Sequence, residues 1–366
     1  MQRAPLHWPV FLFIIIYHFL LLIGIPIYFF FRSPSLSLLL FSGIMVFLSG
    51  LGVTAGYHRL MSHKAYQTNR FVEAVLLFFA SIATQGSALR WCCDHRLHHA
   101  HVDTDQDPYS IKKGFWHAHI TWLFFRTEPI DPKVVADLSR SPLVRFQHRF
   151  YIPCFAGANL VVYLAAGFLF GDWWGAFLWA ILARLFFLHH TTWFINSLAH
   201  TWGSQNYSRE HSAVDSYVIC LLTYGEGYHN YHHTFPHDFR NGIRWYHFDP
   251  TKWLIWTLSK LKLAWGLRKV EDVHIFRQLL QDHRRVLIEK LENSIYLHKE
   301  CLEKKIGELQ EALMIRFSQI HQLVSDRSLR AREELRTAKR ALREDWRRWK
   351  LLVRLIEKES PLTVQF

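Results

Sequence analysis

The chain has 366 residues, 50% hydrophobic and 16% aromatic, with a formal charge of +13 and 24 His, 20 of them before residue 250. Its mean hydropathy of +0.01 averages two unlike parts, an apolar region between Val10 and Trp193 and a final stretch rich in Lys, Arg and Glu. This excludes a disordered chain and an ordinary soluble domain. Five Cys without a Cys-x-x-Cys pair exclude a disulfide scaffold and fit a reducing compartment. In a membrane protein, excess Lys and Arg belong to cytoplasmic loops and anionic headgroups, so nucleic acid is not an expected partner.

Val10 to Phe31 carries no formal charge and, as a helix, extends about 33 Å, enough to cross a bilayer. The turn Arg32-Ser-Pro-Ser leads into a second apolar segment, Leu36 to Tyr57. Tyr151 to Phe170 and Gly175 to about Asn196 repeat the arrangement around Gly171-Asp172-Trp173-Trp174. Four spans, about 10–31, 36–57, 151–170 and 175–196, are expected as two hairpins. The hairpin turns hold one basic residue, Arg32, whereas residues 58–150 hold many, so both termini and the 58–150 segment are expected on the cytoplasmic side. Phe71 to Thr84 is apolar but short and contains Glu73, and is expected to be a buried or interfacial helix.

Histidines recur in groups on that side: His58 and His63; His95, His98 and His99; His229, His232 and His233. An i, i+3, i+4 spacing places each of the two triplets on one helical face, three imidazoles aimed at one point. His58 and His63 lie roughly 140° apart on a regular helix and are expected where the second span unwinds. Asn196 and His200, four apart, end the fourth span. Eight or nine imidazoles exceed the needs of one zinc, and there is no H-E-x-x-H, so two redox metals are implied, with iron suited to imidazole. Asp94, Asp103, Asp105, Asp107, Asp215 and Glu226 are candidates to fix His tautomers, Asp94 and Glu226 foremost.

The motifs Gly-Tyr-His58-Arg-Leu-Met-Ser-His63, Trp91-Cys-Cys-Asp94-His95-Arg-Leu-His98-His99, Thr192-Trp193-Phe-Ile-Asn196-Ser-Leu-Ala-His200 and Gly225-Glu226-Gly-Tyr-His229-Asn-Tyr-His232-His233 resemble those of membrane fatty acyl desaturases of the stearoyl-CoA, delta-9 type, over about residues 8–268. The resemblance implies an all-α membrane protein, four spans under a cytosolic helical cap holding a dinuclear iron centre. It implies that His58, His63, His95, His98, His99, His200, His229, His232 and His233 bind two irons, with Asn196 acting through a water. The implied reaction uses O2 and two electrons to convert a saturated acyl chain into a cis-monoene. Tyr57, Gln85, Trp91, Asp94, Arg126, Thr192 and Trp193 match substrate-site positions, and Tyr57 falls where a bulky side chain limits tunnel depth. His101, His119, His189, His190, His211 and His237 match no ligand position.

Cys93 stands where animal acyl-CoA enzymes have Arg, and Thr127 replaces a second basic residue. A fatty acyl thioester, on CoA or carrier protein, and a lipid-linked chain therefore all remain substrates to consider, with Lys112 and Lys113 as other phosphate contacts. With no haem-binding His-Pro-Gly-Gly or ferredoxin Cys pattern, a separate electron donor of ferredoxin or cytochrome b5 type is expected. The short N-terminus and lack of a fused donor lean towards a bacterial inner membrane over an endoplasmic reticulum. Residues 269–366 are expected to form a charged helical extension. Its stripe Leu302, Ile306, Leu309, Leu313, Phe317, Ile320 and Val324 suits a partner helix. Packing back on the cap, self-association, and attachment to anionic lipid or an acidic donor are the open roles. A His-box hydroxylase and a non-catalytic membrane scaffold are the rival functions.

Overall fold

The computed structural model describes residues 5–125, 128–292, 299–325 and 329–359. They form two units, one of residues 1–205 and 210–269, the other of 206–209 and 270–366.

In the first unit, four helices are long and apolar enough to cross a membrane: α1 (Trp8–Phe31), α2 (Leu36–Ser62), α7 (Tyr151–Phe170) and α8 (Trp173–His200). Between and after them come α3 (Arg70–Ile82), α4 (Ala88–His101), α5 (Phe115–His119), α6 (Pro142–Arg149), α9 (Tyr217–Leu222), α10 (His229–Thr234) and α11 (Pro250–Lys260). Side-chain caps fix several starts: Ser35, Asn69 and Ser87 accept from the backbone N–H of Leu38, Val72 and Arg90. Gly171, in the left-handed conformation at φ 66°, ends α7.

Ile14, Tyr17, Leu21 and Tyr28 of α1 pack against Leu178, Leu182, Ala183 and Trp193 of α8. Leu38 of α2, Ile82 of α3, Ala158, Val162 and Ala166 of α7, and Ala176 and Ala180 of α8 form another core. Small residues there let the helix backbones approach closely, as packing within a bilayer requires. Helix α3, at 13 residues, is too short to cross a membrane as a straight helix. It buries Leu76, Leu77 and Ala80 and exposes Phe71, Val75 and Phe78.

The second and fourth spans run further than their apolar composition suggests, because each continues into the turn that carries a histidine. The last part of α2, Gly52–Ser62, is a π-helix. Its tight seat on α3 needs Gly52, where a Cβ would come within 2.5 Å of the Ala80 nitrogen. An antiparallel pair, Gln67–Thr68 with Ala264–Trp265, ties the segment after His63 to the end of the unit.

In the second unit, α12 (Asp272–Glu292), α13 (Lys299–Ser325) and α14 (Leu329–Glu359) share one apolar core. Ile306 and Leu313 of the predicted stripe bury against Leu280, Leu287 and Leu291 of α12 and Trp349, Leu352 and Ile356 of α14. Phe317 stacks on Phe276 with ring centroids 4.3 Å apart. The partner helices for that stripe are thus supplied by the chain itself.

Candidate metal centre

The π-helical turn at the end of α2 decides how its two histidines meet. In the i to i+5 pattern the His63 N–H donates to the His58 carbonyl at 3.1 Å, so residues five apart stack instead of diverging. Their rings lie 4.8 Å apart. The span ends here with His63 as its C-cap, and the expected unwinding takes the form of a wider helix that puts both imidazoles on one side.

Nine buried or half-buried imidazoles converge in two sets, His58, His63, His95, His99 and His232 in one, and His98, His200, His229 and His233 in the other; within each set the ligand nitrogens lie within 4.8 Å of one another. The triplets do not each aim at one point. On α4, His95 and His99 enter the first set and His98 the second, while on α10, His229 and His233 enter the second set and His232 the first. The i, i+4 pair stays together and the residue between crosses over, so the two short helices share both sets.

The outer ring nitrogens fix the inner ones. His98 Nδ1 lies 2.9 Å from Asp107 Oδ1, and His58 Nδ1 lies 2.9 Å from Glu226 Oε2. Ser212 donates its hydroxyl to Asp103 at 2.6 Å, so His200 Nδ1, 2.7 Å from that oxygen, must be the donor to it. In His98 and His200 the Nδ1–H is the outward donor, which turns Nε2 inward, and His58 sits at ion-pair distance from its carboxylate with Nε2 likewise inward. The Nε2 atoms face others at short range: His58 to His232 at 3.0 Å, His98 to His233 at 3.2 Å, and His229 to His200 at 3.1 Å. Burial, then neighbouring imidazoles, hold His63, His95, His99, His229, His232 and His233 well below the usual imidazole range, leaving them neutral. Neutral rings with inward lone pairs are the ligand form for a cation, and the donor set fits two metal ions.

Behind the site lies a buried ion cluster. Arg59 Nη2 is 2.9 Å from both Glu226 Oε1 and Asp249 Oδ1. Asn241 donates to Glu226 Oε2 at 2.6 Å. Burial acts to raise the Glu226 carboxyl, but His58 and Arg59 outweigh it and hold it down at about 2. Glu226 therefore stays ionised beside His58.

Of the carboxylates expected to orient histidines, Glu226, Asp107 and, through Ser212, Asp103 do so. Asp94 does not. It is drawn to Arg90 one turn earlier on α4, whose Nε donates to its Oδ2 at 2.8 Å, because i, i+4 partners on a helix are nearest neighbours. Asp105 is exposed, and Asp215 accepts from the Tyr231 backbone N–H at 3.1 Å. Ser212, Asn241 and Asp249 carry no local sequence signal and reach the site only through the fold, and Arg59 is hidden between two predicted ligands.

Asn196 is half-buried one turn before His200. Trp91 stacks on His95 at 4.9 Å, and Tyr57, wholly buried, lies 5.9 Å from Trp91 with its hydroxyl accepting from Gln147 at 2.6 Å. Gln85 donates to the Thr192 hydroxyl at 2.9 Å. Trp193 stacks on His189 at 5.2 Å. Arg126 and Thr127 lie outside the described residues. Lys113 donates to the carbonyls of Asp105 and Asp107 at 3.0 and 3.2 Å. His189 and His190 join neither set: the Tyr17 hydroxyl is 2.9 Å from His189 Nδ1, and His190 bridges His119 and His18 at 3.0 and 3.1 Å.

The family profile described as fatty acid desaturase matches residues 33–266, from the start of α2 past the last histidine set. The chain belongs to the fatty acid desaturase family. Among its relatives are a probable acyl-CoA desaturase of Schizosaccharomyces pombe, 43% identical over 74% of this chain and 58% of the relative, and acyl-CoA desaturase 1 of Saccharomyces cerevisiae, 36% identical over 70% and 51%. An sn-2 palmitoyl-lipid 9-desaturase of Nostoc is 37% identical over 61% of this chain and 79% of the relative. The chain thus spans little more than half the length of the two fungal proteins. Because fungal sequences match so much of it, the lean towards a bacterial inner membrane loses its basis.

Proposed function

We propose that the chain is an O2-dependent acyl desaturase, removing one hydrogen from each of two adjacent methylenes of a saturated long-chain acyl substrate at the delta-9 position to leave a cis double bond. One acyl chain, one O2, two electrons and two protons give one monoene and two waters. The names of the relatives supply two substrate classes, acyl-CoA and lipid-linked acyl chains, and the acyl-CoA reading is preferred from the fungal pair. Electrons come from a separate redox protein.

The observation that carries this reading is the convergence of inward Nε2 lone pairs in two adjacent sets, fixed from outside by Glu226, Asp107 and the Ser212–Asp103 pair. His58, His63, His95, His99 and His232 would hold one iron, and His98, His200, His229 and His233 the other, with Asn196 acting through a water. When bound, the iron pair supplies the power to reduce O2 and break an unactivated C–H bond, which has no acid–base handle. The remaining task is position. Trp91 buttresses His95, the Gln85–Thr192 bond and Trp193 border the acyl path, and Tyr57 closes its deep end. Asp94 and Arg126 serve the polar end of the substrate.

The arrangement supports residues 1–268 as the desaturase domain, with two helical hairpins joined at 32–35 and 171–172, both termini and the histidines on the cytoplasmic side, and residues 269–366 as an appended helical domain. The test is the fatty-acid profile of a desaturase-deficient host expressing wild type or His98→Ala, with the double-bond position determined by mass spectrometry. A cis-monoene that vanishes in the variant supports the reading. A hydroxylated product, or no product when iron and donor are supplied, overturns it.

A further inference from the structure

The three-helix unit buries its own apolar faces, which leaves the outer face of α14 to be explained. Arg336, Arg340, Arg343, Arg347, Lys350 and Arg354 alternate four and three residues apart. Such spacing draws a single row along a helix, here about 27 Å long. All six side chains are exposed. The row lies opposite the face that buries Ala338, Trp349, Leu352 and Ile356; Lys350 lies over the Trp346 ring at 6.0 Å, and packing within the unit does not account for the five arginines. None of the six pairs with a carboxylate among the described residues, whereas Arg316 and Arg348, off the row, both reach Asp345. Beside the row, Leu351 and Leu355, one turn apart, are 60% and 53% exposed.

Six like charges in line repel one another and lower the stability of an isolated helix. A row of this kind is kept against that cost where a countercharge is met. We infer that α14 docks on a bilayer surface containing anionic lipid, the cationic row lying over phosphate headgroups and Leu351 and Leu355 entering the boundary with the acyl chains. Two features favour lipid over an acidic protein. An apolar pair flanking the cations matches the interfacial helix, in which charge attracts and apolar residues insert. The unit also follows directly in sequence, from Val270, on a unit with four spanning helices, so it is tethered at high effective concentration to a membrane. The inference needs the spans and not the desaturase reading.

The test uses the full chain in lipid nanodiscs, with exposed Cys301 changed to Ser and Leu351→Cys carrying an environment-sensitive fluorophore. In discs of phosphatidylcholine with phosphatidylglycerol, the emission shifts to the blue, is quenched by nitroxide-bearing lipid, and reverts as salt screens the charges. Combined Arg336→Gln, Arg343→Gln and Lys350→Gln lowers the ratio of docked to free label by roughly ten-fold or more. Combined Arg336→Lys, Arg343→Lys and Arg347→Lys retains docking, since the headgroups read charge. Desaturation assayed in parallel keeps failure of this inference separate from failure of the functional one. Emission indifferent to phosphatidylglycerol overturns the inference. So does a shift in neutral discs that salt does not touch, a shift that grows with protein concentration in detergent, or one that requires an added acidic protein.

Discussion

Asp107 Oδ1 sits 2.9 Å from His98 Nδ1 while also accepting from the backbone N–H of Tyr109 at 3.1 Å, and its Oδ2 accepts from that of Asp103 at 3.3 Å. One carboxylate therefore holds both the ring and the turn that follows α4. Outer partners of this kind are typically worth about 10–100-fold in metal affinity or activity. Asp107→Ala should lose iron from the four-histidine set by that order, measured as iron per chain after dialysis against a weak chelator. Undiminished retention would count against the tautomer assignment.

Arg59 is fully enclosed between Glu226 and Asp249 and also donates to the Phe239 carbonyl at 2.8 Å. Removing the guanidinium leaves two buried carboxylates without a countercharge. Arg59→Met is expected to destabilise the protein by roughly 3–5 kcal/mol. Arg59→Lys should recover only part of this, since one ammonium cannot reproduce the forked contact. Unfolding in detergent, followed by helical signal, measures both.

Gly225 has φ +94°, and a Cβ there would meet the Asp249 Cα at 2.7 Å. The neighbour is backbone and cannot step aside. Gly225→Ala should cost more than the roughly 1 kcal/mol typical of a strained glycine site, and should shift Glu226 away from His58. Loss of folded yield with reduced iron content is the expected pair of readouts.

Lys252 is buried, with Nζ donating to the carbonyls of Gly242 and Arg244 at 2.7 and 2.8 Å. Burial pulls its ammonium from 10.5 down to about 8. The unfolded chain therefore binds the extra proton between those values, and the native state gains stability as pH rises from 8 towards 10.5. Melting temperatures of wild type and Lys252→Gln across that range should converge or cross, the wild type rising relative to the variant. Parallel curves would refute the shift.

Tyr57 is wholly buried, held by Gln147 and packed against Trp91. Tyr57→Ala opens a space of one phenol ring next to His58. Product chains longer than those of the wild type are expected, at a stability cost of about 3–5 kcal/mol. Unchanged product lengths in a folded variant would remove Tyr57 from the substrate path.

Much of this molecule follows from sequence alone, because the bilayer imposes length and apolarity on each span and a metal imposes repeated imidazoles. Val10 to Phe31 and the His95-x-x-His98-His99 group could be read without any partner. What helical periodicity could not supply is the width of the helix at Gly52–Ser62, which depends on contact with α3 and turns a divergent His58 and His63 into neighbours. Nor does i, i+3, i+4 spacing say that a triplet divides between two centres, since that requires α4 and α10 to face each other. Asp107 was one carboxylate among six, and Ser212 had no local signal at all; their roles arise because the fold carries them to ring nitrogens far away in the chain. Asp94, the better candidate by position, was claimed by Arg90 one helical turn away. Local patterns fix which groups are present, and tertiary packing alone determines which lone pairs meet.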